Sequence, residues 1–315
     1  MATQSAPLTE IAITEEVKQA ERSYSLRHDA LLVLITLIWG STFLIVKNTV
    51  RLSGPFTYLA LSYGIGGIIL VLIFHRRLMR ISRAELLSGL VLGTILFTAY
   101  ALQTIGLQYT TVSKAGFITG LYVPLVPVFA FLLLRQKPTQ GAIVGFALSL
   151  IGLFLISFND KFNLTFGLGE TLILGAAIAF ALHVVNVSKF AANVDAINLA
   201  IVQLALTSLL SFIAIPISRE PIIMPPLIVW GSVLFMGVVD LAFTLSAMIW
   251  VQQLVSSTRA ALIYALEPMW AALFGFALAG DKLSLLAWIG CGFILAGMIV
   301  GRVGKIHLPG SKWIK

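Results

Sequence analysis

A few ionisable residues lie inside long apolar stretches of this chain, and Glu267 and Asp240 are the clearest. A central Asp, Lys or Arg costs about 2.5–3.5 kcal/mol to insert into hydrocarbon, so such residues mark substrate paths, ion paths or internal pairs. Glu267 stands directly before Pro268. A proline there removes a backbone donor and loosens the helix. Tyr264, Glu267 and Ala271 fall on one helical face, which sets the carboxyl group beside an aromatic ring. A carboxyl group so placed can hold a substrate amine or take up and release a proton, which makes Glu267 the proton-coupling candidate. Its structural alternative is a partnership with Lys114 or Arg259. Arg259 is eight residues away, about 12 Å along a helix, too far for a direct bond within one span. Asp240, with Thr244 one turn on, either faces the same cavity or pairs with a cation from another helix.

Aromatic and polar residues supply the remaining candidates. Trp39 lies in mid-span beside Gly40, Ser41 and Thr42, not at the interface where tryptophan anchors. Tyr122 and Trp270 adjoin proline breaks, and Tyr100 shares a helical face with Gln103. His183 shares one with Asn186, although a lone histidine is more often a satisfied internal residue. The candidate substrate-binding set is Trp39, Tyr100, Gln103, Tyr122, His183, Asp240, Tyr264, Glu267 and Trp270. Aromatic rings with few polar groups suit an amphipathic organic substrate, or an amine held by cation–π contact. They do not suit a bare ion or a heavily charged phosphate. Lys114 and Arg259, near the ends of two spans, either snorkel to the interface or attract an anionic substrate group.

The elements that must position these residues are membrane helices. Of 315 residues, 59% are hydrophobic and 11% charged, with mean hydropathy +0.99; an average soluble domain is about a quarter charged. Ten apolar segments of spanning length are predicted, at 30–50, 55–74, 86–106, 112–134, 140–158, 168–189, 196–217, 227–250, 256–279 and 284–302. Turn or charge signals separate them, such as Ser53-Gly54-Pro55, Asn159 to Asn163 and Gly280 to Lys282. The first 29 residues are polar and read as a tail, with a short helix capped near Thr14 and no signal-peptide pattern. Residues 303–315 form a second tail. With the N-terminus cytoplasmic, 15 of the 21 Lys and Arg fall on that side and 6 opposite, which places both termini inside. The net charge of +8 is therefore topological, and no nucleic-acid partner is expected. A single Cys291 and four scattered histidines give no disulfide framework, metal site or cofactor motif. The absence of a Walker-type phosphate loop argues against ATP-driven transport by this chain alone.

The chain also repeats itself. At an offset of 145, Gln108 maps to Gln253, Lys114 to Arg259, Ala115 to Ala260, Lys137 to Lys282, Gly145 to Gly290 and Gly152 to Gly297. Pro124 and Pro268 match with a slip of one residue. Five spans per half reverse the orientation of the second half. That is the inverted-repeat plan of secondary transporters, with the site at the midplane between interrupted helices. Paired glycines such as Gly89/Gly93, Gly116/Gly120, Gly141/Gly145 and Gly297/Gly301 permit close helix contact.

Trp39-Gly40-Ser41-Thr42-Phe43, the run Gly116 to Pro124, the run Leu266 to Gly275 and the Gly280 to Ser284 turn resemble the EamA-like family of the drug/metabolite transporter superfamily. Ser62-Tyr63 departs from an Arg-Phe pair common in that family, and Asp281 replaces a glutamate. The resemblance covers residues 30–158 and 168–302, one five-helix repeat each. It implies an all-α integral membrane protein of ten transmembrane helices, built as two inverted five-helix repeats around a central cavity with Trp39 on its wall. The expected function is secondary transport of a small organic metabolite, an amino acid or amphipathic amine-like compound. Efflux across the inner membrane by alternating access is the expected mode, and the resemblance leaves the substrate and oligomeric state open. The rivals are a membrane-embedded enzyme and a channel or regulatory membrane protein. The first lacks a metal set, paired intramembrane aspartates or an activated nucleophile in the sequence, and the proline-broken repeats weigh against the second.

Overall fold

The computed structural model describes residues 8–135, 137–156, 166–190, 194–221, 225–254, 260, 263–264 and 266–302, with side chains from Arg27 onward except those of Ile156, Gly301 and Arg302. Arg259, the Asn159 to Asn163 break, the start of the ninth predicted segment and the tail 303–315 lie outside the described residues. No strand occurs among the described residues.

The helices are α1 (Leu8–Ser53), α2 (Pro55–Leu78), α3 (Arg83–Gly106), α4 (Val112–Gly120), α5 (Tyr122–Leu134), α6 (Gln140–Ile156), α7 (Leu168–Phe190), α8 (Ala196–Ile217), α9 (Leu227–Phe235), a π-helical segment (Met236–Leu245), α10 (Ser246–Gln252), α11 (Glu267–Leu278) and α12 (Leu285–Arg302). Seven stretches are long and apolar enough to cross a membrane: 27–53, 55–78, 83–106, 112–134, 168–190, 196–217 and 227–252. The apolar parts of α6 and α12 are shorter. The first helix starts at Leu8 and runs unbroken to Ser53, so the expected separate helix near Thr14 is part of α1.

Local chemistry sets the ends. Gly54 has φ 80°, a backbone open to glycine, and Pro55 follows in the first turn of α2. The Glu220 carboxylate accepts from Phe56 N at 2.9 Å and Thr57 N at 2.8 Å, capping α2 from a distant turn. Ser82 and Glu85 form a capping box on α3. Asp195 caps α8 through Ile197 N and Asn198 N. Between α3 and α4 only Leu107 to Thr111 make the turn, and the Thr111 hydroxyl caps α4.

Two spans are interrupted. Pro124 and Pro127 cannot donate to the carbonyls of Gly120 and Val123, and the helix divides at Leu121 into α4 and α5. The span 227–252 instead widens into π turns over ten residues. Packing pairs α6 with α12, α2 with α8, α3 with α7 and α8, and α11 with α4 and α1. Small residues allow the closest crossings. A Cβ on Gly116 would collide with Ala271 Cβ, and one on Gly120 would stand 2.8 Å from Pro268 Cγ. Gly89 meets Val202, Gly93 meets Leu206, and Gly297 meets Ser149 and the Gly145 carbonyl.

Candidate functional site

The crossing of α4–α5 against α11 creates the central site. Gly40 of α1 lies against the same region: a Cβ there would collide with Trp270 Cβ and stand 3.0 Å from Ala271 N and 3.1 Å from Glu267 O. Close approach at Gly40 carries Trp39 onto the wall beside Glu267. A narrow cavity results, lined by Trp39, Thr42 and Phe43 of α1, Leu96, Tyr100 and Gln103 of α3, and Thr119 and Tyr122 of α4 and α5. Phe180, His183 and Val184 of α7, Leu245, Met248 and Glu267 complete it.

Glu267 is 6% exposed, and its Oε2 accepts from the Tyr122 hydroxyl at 3.1 Å. Tyr122 and Glu267 are 145 residues apart, the same offset that aligns the two halves of the sequence. No ion pair to Glu267 occurs among the described residues. Rings surround the carboxyl group. Tyr100 and Phe180 stand edge to face with centroids 5.0 Å apart, Tyr122 is 6.3 Å from Phe180, and Trp39 is 5.2 Å from Tyr264. The polar groups on the wall are tied down. Gln103 Nε2 donates to the Thr119 hydroxyl at 3.2 Å, and His183 Nε2 lies 2.7 Å from Gln203 Oε1. Trp39 Nε1 donates to the Thr244 hydroxyl at 3.2 Å.

Six of the nine candidates therefore line one cavity: Trp39, Tyr100, Gln103, Tyr122, His183 and Glu267. Three do not. Tyr264 lies just behind the wall, its ring tilted against that of Trp39, with its hydroxyl accepting from Gln252 Nε2 at 3.1 Å. Trp270 turns into a separate apolar groove with Phe117, Met269 and Trp288, because its Cβ is wedged against Gly40. Asp240 is 1% exposed, lies behind the wall, and pairs with no cation among the described residues. Sequence reasoning missed Phe180, Met248 and Gln203, apolar or polar residues in mid-span with no local signal. Thr119 lay within the quoted run before Pro124.

Lys114 is drawn into an ion pair with Glu170 at 3.8 Å rather than simply snorkelling. Glu170, in the first turn of α7, also accepts from the Thr110 hydroxyl at 2.6 Å. Lys47 Nζ donates to the Thr110 carbonyl at 2.6 Å, and Asp281 accepts from Ser113 N at 2.8 Å. These bonds tie together the end of α1, the α3–α4 turn, the start of α7 and the α11–α12 turn. At the opposite ends, Arg77 pairs with Asp195 at 3.0 Å, while Glu85 accepts from Asp195 N at 2.9 Å.

An all-helical, multi-pass membrane protein with an aromatic, carboxylate-bearing cavity is the class these features define. The chain belongs to the EamA-like transporter family, which it matches over residues 26–158 and 167–301. It is 28% identical over 288 residues to an "Uncharacterized transporter" of Archaeoglobus fulgidus, covering 89% of this chain and 87% of that one. It is 24% identical to the "Uncharacterized inner membrane transporter YedA" of Escherichia coli K12, with 88% and 91% covered. A solved structure titled "Crystal structure of protein" superposes with TM-score 0.64 at 19% identity, covering 89% of this chain and 99% of that one. That likeness shows the fold.

Proposed function

We propose that this chain is a secondary transporter that exports a small organic metabolite bearing an amine, an amino acid or an amphipathic amine-like compound, by alternating access. In this reading ten helices cross the membrane as two inverted five-helix repeats with both termini cytoplasmic, and a counter-moving proton drives export. The observation that carries it is Glu267: a buried carboxyl group without an ion pair among the described residues, bonded to Tyr122 and enclosed by aromatic rings. A substrate ammonium supplies the missing opposite charge, and the rings supply cation–π contact. The 145-residue offset between Tyr122 and Glu267 supports the pseudo-symmetry that alternating access uses. The polar ties at both helix ends are the contacts that must open and close in turn.

Purified protein in proteoliposomes, offered labelled amino acids and primary amines with and without an imposed pH gradient, tests the reading. Export against incoming protons should be fastest when the receiving side is the more acid. Glu267→Gln should abolish transport of the cationic substrate while the protein stays folded. Transport unaffected by both the gradient and the substitution would reject it.

A further inference from the structure

A counter-moving proton can share the substrate's carboxyl group or bind apart from it. We propose that Asp240, with the hydroxyl groups of Tyr58, Ser62 and Tyr63, forms a proton-binding site behind the cavity wall, separate from the substrate carboxylate Glu267. This rests on the coupled transport proposed above.

Asp240 lies in the π-helical segment, where the wider turn displaces side chains from ordinary helical register. Helix α2 presses closely on it: a Cβ on Gly66 would stand 2.8 Å from Gly237 O, and one on Gly237 3.0 Å from Ser62 O. Asp240 is 1% exposed and its Oδ1 has no hydrogen-bond partner. Tyr58 Oη, Ser62 Oγ and Tyr63 Oη are equally buried and make no well-aligned hydrogen bond, with Ser62 near Tyr58 and Tyr100 near Tyr63 as their looser neighbours. Four buried polar atoms on facing elements without a well-aligned bond ask for an explanation. Asp240's charge is felt at Tyr58 and Tyr63 of α2 and at Tyr100 of α3. It is felt also at Glu267 of α11. No charged group of α1, α8, α9 or α10 pairs with it among the described residues.

An ionised carboxyl group without a counter-charge is costly to keep in so dry a place. A proton neutralises it and turns it into a donor that a neighbouring hydroxyl can accept. Neither the central cavity nor the Trp270 groove is lined by Asp240. The site also communicates with the cavity. Thr244, which donates to the Asp240 main-chain carbonyl, accepts from Trp39 Nε1, and Tyr63 stands 5.4 Å from Tyr100. Asp240 lies within electrostatic range of Glu267, so an ammonium arriving at Glu267 would change the cost of ionising Asp240. One substrate cation then moves one way as one proton moves the other.

Infrared difference spectroscopy of the purified full-length protein in lipid tests this without a substrate. Spectra are compared as the buffer is stepped from acid to alkaline pH, for wild type, Asp240→Asn, Asp240→Glu and Glu267→Gln. Wild type and Glu267→Gln should share a titrating protonated-carboxyl band that Asp240→Asn loses and Asp240→Glu displaces. Tyr58→Phe or Tyr63→Phe should shift that band. The proposal is overturned if the band survives Asp240→Asn, if it fails to titrate in wild type, or if neither tyrosine variant shifts it. It is likewise overturned if replacing potassium by sodium at constant pH removes the band, since the site would then take a metal cation. A titrating Asp240 in a protein that moves no labelled amine leaves this site standing and rejects the transport reading, so the two failures are distinct.

Discussion

Glu267 and Asp240 are both carboxyl groups buried in interrupted spans, yet they are placed for different work. Glu267 sits at a proline break, open to the cavity, with one partner in Tyr122. Asp240 sits in π turns, outside the cavity, with an oxygen that has none. A proline break frees backbone and opens space beside it. Additional π turns re-aim a side chain without opening space. In the reading proposed above, Glu267 meets the solute and Asp240 takes the proton.

The most severe way to break that separation is steric. Gly40→Leu would drive a side chain into Trp270 Cβ and the backbone at Ala271 and Glu267, which cannot yield. Overpacking costs about 1–3 kcal/mol or more. A lowered melting temperature and complete loss of transport in proteoliposomes are expected, and wild-type behaviour would show that α1 does not pack there. Glu267→Gln follows. It removes a charged partner worth about 1.5–3 kcal/mol, so affinity for a cationic substrate should fall roughly 10- to 100-fold, measured by tracer binding, with the melting temperature kept. Asp240→Asn should sharpen the contrast: tracer binding persists within a few-fold, while the response of transport to a pH gradient disappears. Tyr122→Phe removes one hydrogen bond worth about 0.5–1.5 kcal/mol, and should weaken the same binding about 2- to 10-fold. Lys114→Gln should do least. Its pair with Glu170 is long at 3.8 Å and the lysine is partly exposed, so a loss of about 0–1 kcal/mol in stability is expected in thermal melts.

Much of the site was legible from sequence because its signals are local. Glu267 beside Pro268, Tyr122 beside Pro124 and Trp39 beside Gly40 each combine a costly or rigid residue with a backbone that can break or pack closely. Phe180 and Met248 carry no such mark, since an aromatic or methionine in mid-span looks alike whether it faces lipid, a neighbour or a cavity. Tyr264 and Trp270 show the complementary limit. Both share the neighbourhood of Glu267 in sequence, but the wedge of Gly40 against α11 turns the indole toward another groove. Lys114 was readable as a cation near a span end, whereas its partner Glu170 lies 56 residues on, in a different helix.

By itself the sequence determined an apolar, helical chain with seven of its ten predicted segments long enough to cross a membrane, and the proline break near Leu121, because transfer free energy and proline chemistry act residue by residue. It also determined that Glu267 and Asp240 would be ionisable groups inside apolar stretches. Only the tertiary structure decided that Tyr122 meets Glu267, that Asp240 stands behind the wall among buried hydroxyl groups, and that Lys47, Lys114, Glu170 and Asp281 gather at one end. Those meetings depend on how far each helix is rotated and at what depth it crosses its neighbour. Hydropathy does not encode rotation or depth, and the π turns that re-aim Asp240 leave no period in the sequence.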